Sequence, residues 1–265
     1  MTLADDAITA LRLTHDHLVA RVRTLSDADL AAPSGSSEWP VAQVLSHLGS
    51  GAQITLYGLQ AALSGGEPAE KNEQVWARWD AMSPREQADG FLQADATLVE
   101  ALEALTPEQR AGVRYAVPYL PDPAGLDFLT TVRLNEAALH AWDVDVAFDP
   151  HAVLPAGAAA PLLEGLAGAL AVLMRYYAKP DRLAGRTPTV DVRAGDARYH
   201  LVVGAATRLL PGPAPAPDAV LTAPPEAIPR LVSGRLAPGP RTPSAVVVSG
   251  ELTLDELRTL FAPNE

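Results

Sequence analysis

Apolar positions recur at helical spacing through the first half of the chain. Ala7, Leu11, Thr14, Leu18, Val22 and Leu25 form one stripe over residues 4 to 25, which predicts an amphipathic helix. Val41, Val44, Leu45, Leu48, Ala52, Leu56, Leu59 and Leu63 form a second, with Pro40 suited to the first helical position and Gly65-Gly66 to the stop. A third helix opens on Ser83-Pro84-Arg85-Glu86, a capping box with proline at N1, and runs through Phe91, Leu92, Leu98, Leu102 and Leu105. Residues 67 to 82, which hold Trp76 and Trp79, are less periodic. A link rich in proline (Pro107, Pro118, Pro121, Pro123) leads to a fourth helix near 126 to 147. Four such helices with one long connection predict an all-α four-helix bundle, whose interior can host a site built from facing helices.

Phe148-Asp149-Pro150 ends that pattern and marks a boundary between a bundle over 1–150 and a smaller domain over 151–265. Leu154 to Tyr177 reads as one Ala-rich apolar helix. TVDVRA, ARYHLVVG, DAVLTA and SAVVVSG alternate with period two, as strands do. PPEAIPRLVSGRL reads as a helix despite Pro229, LTLDELRTLF as a terminal helix capped by Thr253, and PGPAPAP at 211 to 217 as a stiff link. The fold class is therefore two domains, a bundle followed by an α+β domain with a mostly antiparallel sheet.

A length of 265 residues is enough for two separate cores. The net charge of −12 excludes a nucleic-acid partner and a basic membrane-surface patch, because both need clustered cations. The absence of cysteine excludes thiolate ligands, a cysteine nucleophile and disulfides, so any sulfur at a site must arrive with a ligand. The opening MTLADDAITALRL lacks the positive start of a secretory signal, and no apolar run approaches a membrane span of about 18 residues. A cytoplasmic location is expected.

The chemistry sits on the fourth helix. In NEAALHAWDVDVA, a rotation of about 100° per residue stacks Glu136 and His140 one turn apart, with Asp143 on the next turn. Apolar Leu129, Val132, Leu139 and Val146 flank this row, so it faces the interior, where a carboxylate is costly unless paired or bound to a cation. An exposed row of charges or a plain Glu–His hydrogen bond are the alternatives. His47, beside the stripe of the second helix, shares its face with Gly51, and Gly49 and Gly51 each cost about 1 kcal/mol against alanine. They leave room at His47 or permit close helix packing. Two imidazoles and a carboxylate from facing helices make a site for a divalent metal with an open position, and Asp143 fits as the group that orients a ligand histidine. His15 and His17 point to different faces of one helix and read as a solvated surface; His151 and His200 have no spaced partner.

These residues resemble the mycothiol-dependent maleylpyruvate isomerase family, whose members join a DinB-like metal-binding bundle to a sterol-carrier-like domain. The resemblance rests on EWPVAQVLSHLGS, NEAALHAWDVDVA and DAVLTAPPEAIPRLVSGRL. It implies zinc held by His47, Glu136 and His140, and a low-molecular-weight thiol such as mycothiol as nucleophile toward a small electrophilic substrate. The implied reaction is isomerisation or S-transfer. Lys71-Asn72-Glu73 stands where the family has Arg-Asn-Glu, which keeps the charge and loses the bidentate fork. Arg235 in VSGRL matches the family's C-terminal arginine. Lys71, Arg235 and an aromatic residue, Trp39 or Trp76, are the implied contacts to anionic groups of thiol or substrate. A metal-dependent hydrolase and a non-catalytic metal-containing binding protein are the competing readings.

Overall fold

The computed structural model describes residues 2–36, 38–117 and 120–263. The chain divides into two compact units, Met1–Asp149 with Leu154–Ala158, and Pro150–Val153 with Ala159–Glu265.

The first unit is helical: α1 (Leu3–Val22), α2 (Asp27–Leu30), α3 (Val41–Ser64), α4 (Asn72–Asp80), α5 (Pro84–Glu103), α6 (Pro107–Gly112) and α7 (Leu126–Asp145). Each of the four long helices packs against two others, since α3 touches α5 and α7, and α1 touches the same two. Leu18, Leu45, Leu48, Phe91 and Val144 meet in their shared core. Local chemistry sets the ends. Ser83 and Glu86 form the expected capping box at α5, and Gly65 takes the left-handed C-cap of α3 at φ 68°. Pro40 is the N-cap of α3, one position earlier than expected.

The quiet stretch 67 to 82 contains α4, which buries only Val75 and Trp79, one turn apart, and leaves Trp76 exposed. Two inward residues are too few to give a periodic signal. The Trp79 indole slots against Gly49 of α3, where an added Cβ would lie 2.1 Å from its Cη2 atom, and its Nε1 donates to Gln53 Oε1 at 2.9 Å. Gly51 faces the Arg133 guanidinium, 3.1 Å from where a Cβ would stand. Close packing by Trp79 and Arg133 is thus what these glycines permit.

Of the two histidines of α1, His17 is exposed as expected but His15 is not. They do point apart, but His15 is buried and meets Asp95 Oδ2 at 2.9 Å, while His17 Nε2 meets Asp145 Oδ2 at 2.5 Å. The Asp145 hydrogen bond raises the His17 pKa above its ordinary value, against partial burial. A raised folded pKa contributes stability in full below the unfolded value near 6.5, and that contribution is lost as the pH climbs through the folded value. Melting curves from pH 6 upward are expected to show wild type losing stability relative to His17→Gln; parallel curves would contradict this.

The second unit holds α8 (Ala159–Ala167), α9 (Met174–Tyr177), β1 (Thr189–Ala194), β2 (Ala197–Val202), β3 (Arg208–Pro211), β4 (Ala219–Ala223), α10 (Ala227–Val232), β5 (Val247–Gly250) and α11 (Leu254–Phe261). The sheet order is β3-β2-β1-β4-β5, antiparallel except for the parallel pair of β1 and β4. The single apolar helix expected over 154 to 177 is broken. A turn at Gly168, where Leu170 N–H returns to Gly165 O, separates α8 from a 3-10 turn and α9, with a bend of 73°. No single helix among the described residues is long and apolar enough to cross a membrane. Pro229 is the third residue of α10, where a missing N–H costs no helical bond. Thr253 caps α11.

Candidate metal centre

Nearly every residue of α7 is buried, and the helix packs against α1 and α3. Glu136 and His140 project from one side of it toward His47 on α3. His47 Nε2 lies 3.1 Å from Glu136 Oε2, and His140 Nε2 lies 3.7 Å from the same oxygen. One donor atom from each of the three falls within 4.8 Å of the others. A cation bonded at about 2.0 to 2.1 Å to each needs them roughly 3.3 Å apart, near the 3.1 Å and 3.7 Å that separate Glu136 Oε2 from the two imidazole nitrogens. Two imidazole nitrogens and one carboxylate oxygen fit a divalent ion of the zinc type better than calcium or magnesium, which prefer all-oxygen shells.

The support around the three is specific. Asp143 is fully buried, and its Oδ2 lies 2.7 Å from His140 Nδ1. An Nδ1–H donated there leaves the His140 Nε2 lone pair facing Glu136 and His47. The indole of Trp39 covers both imidazoles, with ring centroids 5.1 Å from His47 and 6.0 Å from His140. The loop before α3 fixes the backbone at Trp39, because Ser34 Oγ donates to Trp39 O at 2.7 Å and Gly35 N–H donates to Asp143 O, also at 2.7 Å. This loop thus fastens the backbone at Trp39 to α7.

Burial pushes the Glu136 carboxyl up, but the His47 hydrogen bond and the charges of His140, His47 and Arg133 together pull it down to about 2. Glu136 therefore stays an anion at any pH at which the histidines can bind a metal. Its side chain is 41% exposed and that of His47 is 37% exposed, whereas His140 is 11% exposed. The open side of the group is the side of His47 and Glu136.

Two other residues singled out in the sequence, Lys71 and Arg235, lie at other elements. Lys71 is exposed at the N-cap of α4, its backbone N–H donating to Gln74 Oε1 at 3.1 Å. Arg235 belongs to the second unit, where its backbone N–H donates to Arg230 O at 2.7 Å after α10. The arrangement also contains a cluster that spacing did not reveal. Arg133, one turn before Glu136, joins Asp95 at 2.7 Å, and Asp95 joins His15.

The family model for the mycothiol maleylpyruvate isomerase N-terminal domain matches residues 11–145. Crystal structures of the mycothiol-dependent maleylpyruvate isomerase, one of them a histidine-to-alanine mutant, resemble this chain at a TM-score of 0.61 and 16% identity. Each alignment covers 96% of this chain and 95% of that one, a likeness of fold. No curated protein matches the chain.

Proposed function

The chain belongs to the mycothiol maleylpyruvate isomerase N-terminal domain family, and from that membership we propose a thiol-dependent enzyme that carries a divalent metal, with zinc favoured, on His47, Glu136 and His140. In this reading the first unit is a DinB-like bundle and the second a sterol-carrier-like domain. The observation that carries the proposal is the convergence of three donor atoms from two helices within 4.8 Å.

A cation held there supplies the positive charge beside which a thiol ionises at neutral pH. The protein itself has no cysteine, so the nucleophile is a low-molecular-weight thiol, with mycothiol the candidate. Its sulfur adds to an electrophilic carbon of a small substrate. That addition breaks the substrate's π bond and leaves an anion on the neighbouring group. Expelling the same sulfur after bond rotation re-forms the double bond and is isomerisation, whereas protonating the anion with the new C–S bond kept is S-transfer. Asp143 fixes the His140 ring, Glu136 offsets charge, and Trp39 shields one side of both imidazoles from water. Lys71 and Arg235 are assigned to anionic groups of thiol or substrate. Lysine in place of the fork of an arginine favours a substrate bound by charge more than by bidentate geometry.

Asp143→Asn keeps the shape and removes the charge from the acceptor of His140. Competition with a chromophoric chelator is expected to show about ten- to hundred-fold weaker zinc binding, with melting little changed. Equal affinity would remove Asp143 from the centre.

Titration of mycothiol into the cobalt-substituted protein tests the function. New sulfur-to-cobalt charge-transfer absorption that saturates, together with turnover that needs both metal and thiol, is the expected outcome. Metal-dependent hydrolysis that ignores added thiol would replace this reading with a hydrolase.

A further inference from the structure

The cluster of His15, Asp95 and Arg133 is buried, at 6%, 3% and 4% exposure. Arg133 Nη2 donates both to Asp95 Oδ1 at 2.7 Å and to the Leu48 carbonyl at 3.0 Å. Leu48 directly follows His47. One guanidinium therefore ties α7, which carries Glu136 and His140, to the backbone beside His47 on α3 and to α5 through Asp95. Asp95 passes the tie on to α1 through His15. Gly51 leaves the space in which the guanidinium sits.

Stability alone does not explain this arrangement. A buried ion pair is often no better than apolar side chains of the same volume, because both charges lose their water. Arg133 Nε is, moreover, buried without an acceptor among the described residues, which adds a desolvation cost. What the pair does provide is a fixed separation between the two helices at the level of the candidate centre, and a positive charge near Glu136.

We propose that Arg133, held by Asp95 and His15, is a positioning residue that sets the distance between His47 on one helix and Glu136 and His140 on the other. The inference rests on the metal reading of that site.

The test is cobalt titration, with the ligand-field spectrum recorded, of wild type, Arg133→Met/Asp95→Asn, Arg133→Lys and Leu102→Ala, alongside melting of each metal-free protein. The double variant removes both charges and leaves His15 an acceptor. It is expected to melt near wild type, yet to bind cobalt about ten- to hundred-fold more weakly and with an altered spectrum. Arg133→Lys, which keeps the charge and loses the fork, is expected to bind with intermediate affinity and to retain the altered spectrum. Leu102→Ala, in the core of α5, is expected to do the reverse, melting lower with an unchanged spectrum. Wild-type affinity and spectrum in the double variant overturn the proposal. If that variant does not fold, a wild-type spectrum for Arg133→Lys overturns it. Failure of wild type to bind cobalt defeats the metal reading, and this inference with it, whereas failure confined to the variants' expected changes defeats the inference alone.

Discussion

His140→Ala is expected to lose the bound metal and all thiol-dependent turnover while the helices stay folded. Three protein donors share a binding free energy on the order of 10 kcal/mol for zinc. Removing the most buried of them takes away several kcal/mol, roughly a thousand-fold in affinity. The fold is affected far less. His140 contributes one hydrogen bond to Asp143, and losing such a bond costs about 1 to 3 kcal/mol when it leaves a buried group short of a partner. Metal analysis after dialysis and far-ultraviolet circular dichroism separate the two effects. Metal content equal to wild type would refute the assignment of His140, and loss of helicity would show that it serves the fold first.

Gly49→Ala is expected to lower the melting temperature, although alanine is the better helix former by about 1 kcal/mol. The new Cβ would fall 2.1 Å from Cη2 and 2.3 Å from Cζ3 of Trp79. The indole has no easy retreat. Its Nε1 is bonded to Gln53, and Gly90 on α5 leaves only 3.2 Å between an ideal Cβ and the same ring. Overpacking of this kind costs about 1 to 3 kcal/mol, and dislodging the ring altogether costs more. A net loss of about 2 kcal/mol lowers the melting temperature by roughly 4 to 8 °C in a unit of this size. In a Trp79→Ala background the same change should be neutral or stabilising, because the clash is gone. A rise in melting temperature from Gly49→Ala alone would contradict the packing described.

The legible parts of this chain are those whose meaning is local. The helical spacing of Glu136, His140 and Asp143 fixes their shared side once α7 forms, and the capping residues at Ser83 and Thr253 mark helix starts by their own hydrogen bonds. What escaped depends on partners distant in the chain. His15 and Asp95 are 80 residues apart, and Asp95 and Arg133 are 38 apart, so no spacing rule links them. The solvated reading of His15 failed for that reason. Gly49 and Gly51 signalled a close approach, yet only the fold reveals that Trp79 and Arg133 make it. The apolar run 154 to 177 reads as one helix because its composition is uniform, whereas local backbone bonds from Gly168 N–H and Leu170 N–H to Gly165 O close a turn within it. β3 is four residues at a sheet edge, too short for alternation to show.

Zinc-edge X-ray absorption of the metal-loaded protein, before and after mycothiol, is the most direct test of the thiol-dependent metal centre. Because the chain has no cysteine, a thiolate sulfur beside the metal can come only from the added thiol. The expected spectra show imidazole and oxygen scatterers alone at first, then a sulfur at about 2.3 Å once the thiol is present. A shell that mycothiol leaves unchanged, or a protein that retains no zinc, would contradict it.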